Sequence, residues 1–84
     1  MFPIALDLSK VAVLLTGRGE VLRRRKAQLD QAHATRVTVM DGVLPSAQEI
    51  AAHHVVMSAG LDRGESKALA QAARAAGKLV NVED

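Results

Sequence analysis

A chain of 84 residues makes one domain with a small core, and its apolar 49% is mostly Ala, Val and Leu, with one Phe and neither Trp nor Tyr. Without aromatic platforms for stacking bases there is little to bind single-stranded nucleic acid, and without Cys there is no disulfide, thiolate zinc site or cysteine nucleophile. Net charge is +2, and the sequence has neither an apolar run long enough to span a bilayer nor a charged-then-apolar leader, so the expectation is a soluble, cytoplasmic protein that avoids membranes.

After a lead-in over Phe2–Ser9, the apolar run Val11–Leu15 predicts a strand covered on both faces. Gly17-Arg18-Gly19 follows, and then a helix from about Glu20 to Ala32 with Val21, Leu22, Leu29 and Ala32 as its thin apolar stripe. A second strand is expected over Val37–Met40, closed by Asp41-Gly42. Pro45 suits a first helical position, opening a short helix over Ser46–Ala52. Val55–Met57 reads as a third strand ending in Ser58-Ala59-Gly60. Asp62 with Glu65 forms a capping box for an alanine-rich helix that runs to about Ala76 and stops at Gly77. A fourth strand is expected over Leu79–Val82, two residues before Asp84.

Strands alternating with helices predict a parallel sheet with helical crossovers. The expected fold is α/β: a small, truncated Rossmann-like three-layer domain over residues 1–84, with four parallel strands in order 2-1-3-4 and three helices. Gly17, Asp41, Gly60 and Asp84 then share the carboxyl edge of the sheet, where open α/β sheets bind ligands, with a crevice between the first and third strands.

A strand running through Gly17-x-Gly19 into a helix places free helix N–H groups where an anion can sit. Such a turn is common without a ligand, but Asp41 stands 22 residues beyond Gly19 at the end of the second strand. An acid there contacts ribose hydroxyls in dinucleotide-binding units; the bland alternative is a simple Asp-Gly turn. Asp41 would repel a 2′-phosphate, whereas Arg18 and the arginine run would attract one, leaving NAD and NADP both open.

Arg23, Arg24, Arg25 and Lys26 lie early in their helix, where the macrodipole disfavours cations. A bound anion reverses that, while pairs Glu20 with Arg24 and Lys26 with Asp30 give a solvated-face reading for part of the run. His53 and His54 are adjacent and point to opposite faces of a strand, so no metal site is expected, and the methionines read as core filler.

Phe2-Pro3-Ile4-x-Leu6-Asp7-Leu8, Gly17-x-Gly19-Glu20-Val21 with Arg24, Val37-Thr38-Val39, Asp62-Arg63 and Gly77-x-Leu79-Val80-Asn81-Val82-x-Asp84 together resemble the dehydrogenase domain of the siroheme synthase family. The resemblance implies NAD-dependent oxidation of precorrin-2 to sirohydrochlorin in tetrapyrrole biosynthesis, often followed by iron insertion. It makes Asp84 the candidate general base and Arg24 a contact for the tetrapyrrole's carboxylates. The cofactor-binding candidates are Gly17, Arg18, Gly19, Glu20, Val21, Asp41, Ser58, Ala59 and Gly60. The chain departs from the family in Leu22, where Gly or Ala is usual, in His33, where a helix-ending Gly is usual, and in the short bridge over Gly42–Ser46. It also lacks the dimerisation and helical segments that follow the aspartate. Three readings therefore stand: a minimal dehydrogenase needing a homo-oligomer or partner subunit, a non-catalytic nucleotide- or tetrapyrrole-binding subunit, and a structural domain that oligomerises through a sheet edge.

Overall fold

The computed structural model describes residues 7–83; Phe2–Leu6 of the lead-in and the candidate base Asp84 lie outside them. A short 3-10 turn, Leu8–Lys10, leads into β1 (Ala12–Gly17), α1 (Gly19–Gln31), β2 (Arg36–Asp41), α2 (Ala47–Ala51), β3 (Val55–Ala59), α3 (Arg63–Ala75) and β4 (Leu79–Glu83). The strands form one parallel sheet in the order β2-β1-β3-β4, the order that the alternating pattern predicts.

Every residue of β1 is buried, which explains its unbroken apolar run. Side chains alternate between the two faces of the sheet. Val13 and Leu15 pack with Leu22 and Leu29 of α1, while Leu14 and Val56 pack with Ile50 of α2 and Leu69 and Ala73 of α3. α1 therefore covers one face, and α2 with α3 the other. Met57 and Met40 fill gaps at the margins of the two clusters. The outer strands are more open: Val39 of β2 and Leu79 and Val82 of β4 are exposed. No helix among the described residues is long and apolar enough to cross a membrane.

Several boundaries move from the sequence expectation for local reasons. β1 runs two residues beyond Leu15, because Gly17 still pairs with Asp41 on one side and Ala59 on the other. Pro45 precedes the helix rather than opening it; Ser46 is the cap, its hydroxyl accepting from the Glu49 N–H while the Glu49 carboxylate accepts from the Ser46 N–H. Ala32 caps the end of α1 and is exposed, so Ala34 takes its expected place in the core. His33 adopts φ +63°, the left-handed conformation that ends a helix. The His33 N–H donates to Asp30 O and the Ala34 N–H to Leu29 O, and Gly77 and Lys78 repeat the arrangement at the end of α3.

The adjacent histidines tie elements together. His54 Nδ1 accepts from the Ala12 N–H at 2.8 Å, which places the ring proton on Nε2, and the His54 main-chain N–H donates to Ala12 O. His53 Nδ1 lies 2.6 Å from Glu49 O and its Nε2 3.1 Å from Thr38 Oγ1, joining α2 to β2.

Candidate functional site

Gly17, Asp41, Ala59 and Glu83 stand in mutual register at the carboxyl ends of the four strands, so the loops that leave these ends share one edge. The backbone there is tightly interlocked. The Arg18 N–H donates to Ala59 O at 3.0 Å, the Gly42 N–H to Gly17 O at 2.8 Å and the Gly60 N–H to Glu83 O at 3.3 Å.

Two glycines are required by that interlocking. A Cβ on Gly17 would stand 1.7 Å from Ala59 O, and one on Gly60 2.4 Å from Arg18 O. Both absences of a side chain serve the approach of one turn to the next. Gly19 is different: its φ is +68° and a Cβ there would meet open space. It is the first residue of α1.

The three helices also differ at their N-termini. α2 and α3 each carry a complete capping box, whereas α1 has Arg18 at its cap and, among the described residues, no side chain bonded to its first N–H groups. Those donors require a partner from outside the helix. Beside them, Arg18 Nη1 and Nη2 donate to Glu65 Oε1 and Oε2 at 2.6 and 2.7 Å, a bidentate pair that joins the β1–α1 turn to the first turn of α3. The Arg18 guanidinium, with help from the Asp62 N–H, holds the Glu65 carboxyl down at about 2.

The family described as "Putative NAD(P)-binding" matches residues 4–84. The chain belongs to this NAD(P)-binding family. A search of curated proteins finds no match to it.

The residues present fit the phosphate-bearing part of such a cofactor. An NAD(P)-binding domain needs an anion-accepting helix end, and the uncapped start of α1 beside the open face of Gly19 supplies one. Val21 is half-buried against the α1-side core. Leu22 is buried in the same core, and α1 still begins at Gly19 with a leucine in the third fingerprint position. Asp41 is exposed, in register with Gly17, and adds to the field that keeps the Arg23 guanidinium protonated, after the larger contribution of its hydrogen bond to Glu20. Gly42 follows with φ +76°, so the acid and the turn anticipated there coexist.

Ser58 and Ala59 are the last two residues of β3. Both are buried, Ser58 on the face of β3 that looks toward α3 and Ala59 in the cluster under α1. Ala59 O and the Gly60 N–H are committed to neighbouring strands and turns, as above. The hydroxyls of Ser58 and of Ser66 are buried with no hydrogen-bond partner among the described residues.

The basic run is more occupied than its solvated-face reading implies. Arg23 pairs with Glu20 at 2.5 Å in place of the expected Glu20–Arg24 pair, and Lys26 pairs with Asp30 as expected. Arg25 reaches across to Glu83 at 2.6 Å, tying α1 to the end of β4 and to the segment that leads to Asp84. Three of the four cations are thus engaged within the fold. Arg24 is exposed and makes no ion pair among the described residues.

Two contributors escaped sequence reasoning. Thr16 is fully buried and donates to Val43 O at 2.7 Å, fixing the loop that follows β2; a hydroxyl closing an apolar strand was its only signal. Glu65 reads from sequence as a capping residue, and nothing in the chain marks its second bond to Arg18, 47 positions away.

Proposed function

We propose that the N-terminus of α1 holds the pyrophosphate of NAD, with NADP as the alternative ligand, and that the domain serves the precorrin-2 dehydrogenase step that its resemblance to the siroheme synthase family implies. The observation that carries the cofactor part is the uncapped first turn of α1 beside Gly19, in a chain that caps its other two helices fully. Backbone N–H groups at Gly19, Glu20 and Val21 face the phosphates, and the Asp41 carboxylate accepts from the adenosine ribose. The same carboxylate disfavours a 2′-phosphate and so favours NAD. Bound there, the nicotinamide cofactor supplies a hydride acceptor.

The substrate part rests on Arg24 and Asp84. Arg24 offers a guanidinium without an ion-pair partner among the described residues to a carboxylate-rich tetrapyrrole, and Asp84 takes the proton. The Arg25–Glu83 pair anchors the residue before Asp84 to α1.

Thermal melting with NAD, NADP and sirohydrochlorin tests these assignments. Ligand at about one hundred times its dissociation constant stabilises by about 2.7 kcal/mol, a rise of about 10–20 °C for a domain of this size. A melting temperature unmoved by NAD and by NADP overturns the cofactor reading. A shift with NAD but no NADH formed from precorrin-2 selects a subunit that binds without turnover.

A further inference from the structure

The Arg18–Glu65 pair lies at a particular place in the sheet. Arg18 is the residue directly after β1, and Glu65 is the third residue of α3, the helix that follows β3. β1 and β3 are neighbours at the point where strand order reverses, with β2 beyond one and β4 beyond the other. A dinucleotide lying along the carboxyl edge of an open α/β sheet crosses at that point.

The two partners are not equally free. Glu65 Oε1 also accepts from the Asp62 N–H at 3.2 Å, so its own helix holds it in place. The Arg18 side chain is 45% exposed against 22% for Glu65, and its guanidinium carries five N–H donors, of which the carboxylate takes two. Carboxylate and phosphate are alternative bidentate partners for one guanidinium.

We propose that Arg18 and Glu65 form a strap across the dinucleotide crossing, and that an incoming pyrophosphate displaces the Glu65 carboxylate and takes the freed Arg18 guanidinium at the uncapped end of α1. This rests on the NAD(P)-binding reading. Glu65 is then a positioning residue that acts through Arg18: closed, it sets a negative charge beside the crossing, and open, it releases a cation to the ligand. Because Glu65 stays ionised far below neutral pH, the strap opens by ligand competition rather than by protonation.

Glu65→Gln separates these roles. Glutamine at this position still accepts from the Asp62 N–H, which preserves the capping box, but it offers Arg18 no charge. Fluorescence titration with NADH should give a dissociation constant about two- to fivefold lower than that of the unaltered protein, the range of an exposed ion pair, with a steeper loss of affinity as salt rises. Adding Arg18→Gln to that variant should abolish the gain. NADH binding that is unchanged or weaker in Glu65→Gln, with the unaltered protein binding NADH, overturns the strap and leaves the cofactor reading standing. Failure of the unaltered protein to bind NADH or NADPH overturns both. A second measurement needs no variant: in labelled protein the Glu65 carboxyl carbon resonance should move as NADH is added, and an unmoved resonance at saturation overturns the strap.

Discussion

Adding one methyl group distinguishes the two glycines of the first turn. At Gly17 the methyl would collide with the Ala59 carbonyl, backbone against backbone, and neither strand can yield without breaking its ladder. Gly17→Ala should therefore cost about 3 kcal/mol or more in urea denaturation. At Gly19 the methyl meets no atom, so Gly19→Ala should keep the fold and cost only the left-handed strain, about 1–2 kcal/mol. Equal losses at the two positions would refute the division between a packing glycine and a site glycine. The same reasoning reverses at His33, a side-chain-bearing residue held at φ +63°. Relief of that strain outweighs the extra backbone entropy of glycine, and His33→Gly should raise stability by about 0.5–1 kcal/mol, read as a higher urea midpoint. The sequence marked His33 because the resembling family places glycine there; the positive φ is the physical reason for that preference.

Helices show what is legible along a chain and what is not. The Asp62–Glu65 box was readable because both partners lie within one turn and their spacing is fixed by helical geometry. The Arg18–Glu65 pair joins different helices, and no periodicity relates such positions. Its electrostatic consequence belongs to the elements it joins. Glu65 has its folded value depressed from 4.5 to about 2, so the stability it confers is present above about 4.5 and is lost as pH falls toward 2. Asp7, Glu20 and Glu49 are also lowered, by Ser9, by Arg23 and by Ser46 respectively, and contribute loss in the acid range. Thermal melts from neutral to acid pH should accordingly show a fall below about 4.5 that is shallower in Glu65→Gln but not absent. An identical acid profile in that variant would show that the pair adds nothing to folding.

For the whole molecule, the alternation of strand and helix carried the architecture, because a fully buried β1 in a sheet with three helical crossovers leaves few ways to cover both faces. The site was half legible. The uncapped start of α1, Gly19 and Asp41 stand at the expected edge, whereas the side chains of Ser58 and Ala59 are buried. Burial at a strand's end depends on which neighbour closes over it, and that neighbour, the β1–α1 turn, approaches through Gly17 and Gly60. Likewise, the basic run has opposite meanings according to whether its partners exist, and the Glu83 partner of Arg25 comes from the far end of the chain.

The Arg18 N–H to Ala59 O bond and the two abutting glycines fuse the turns after β1 and β3 into one rigid piece. An engineer wishing to retune the preference between the two nicotinamide dinucleotides would find little slack in that piece, since any added atom there disturbs both turns at once. The loop after β2 is held by the Gly42 N–H to Gly17 O and by Thr16 to Val43 O, yet Asp41, Val43 and Leu44 remain exposed. Sequence diversity introduced at those three positions, with the turns left untouched, is where altered selectivity can be sought without sacrificing the scaffold.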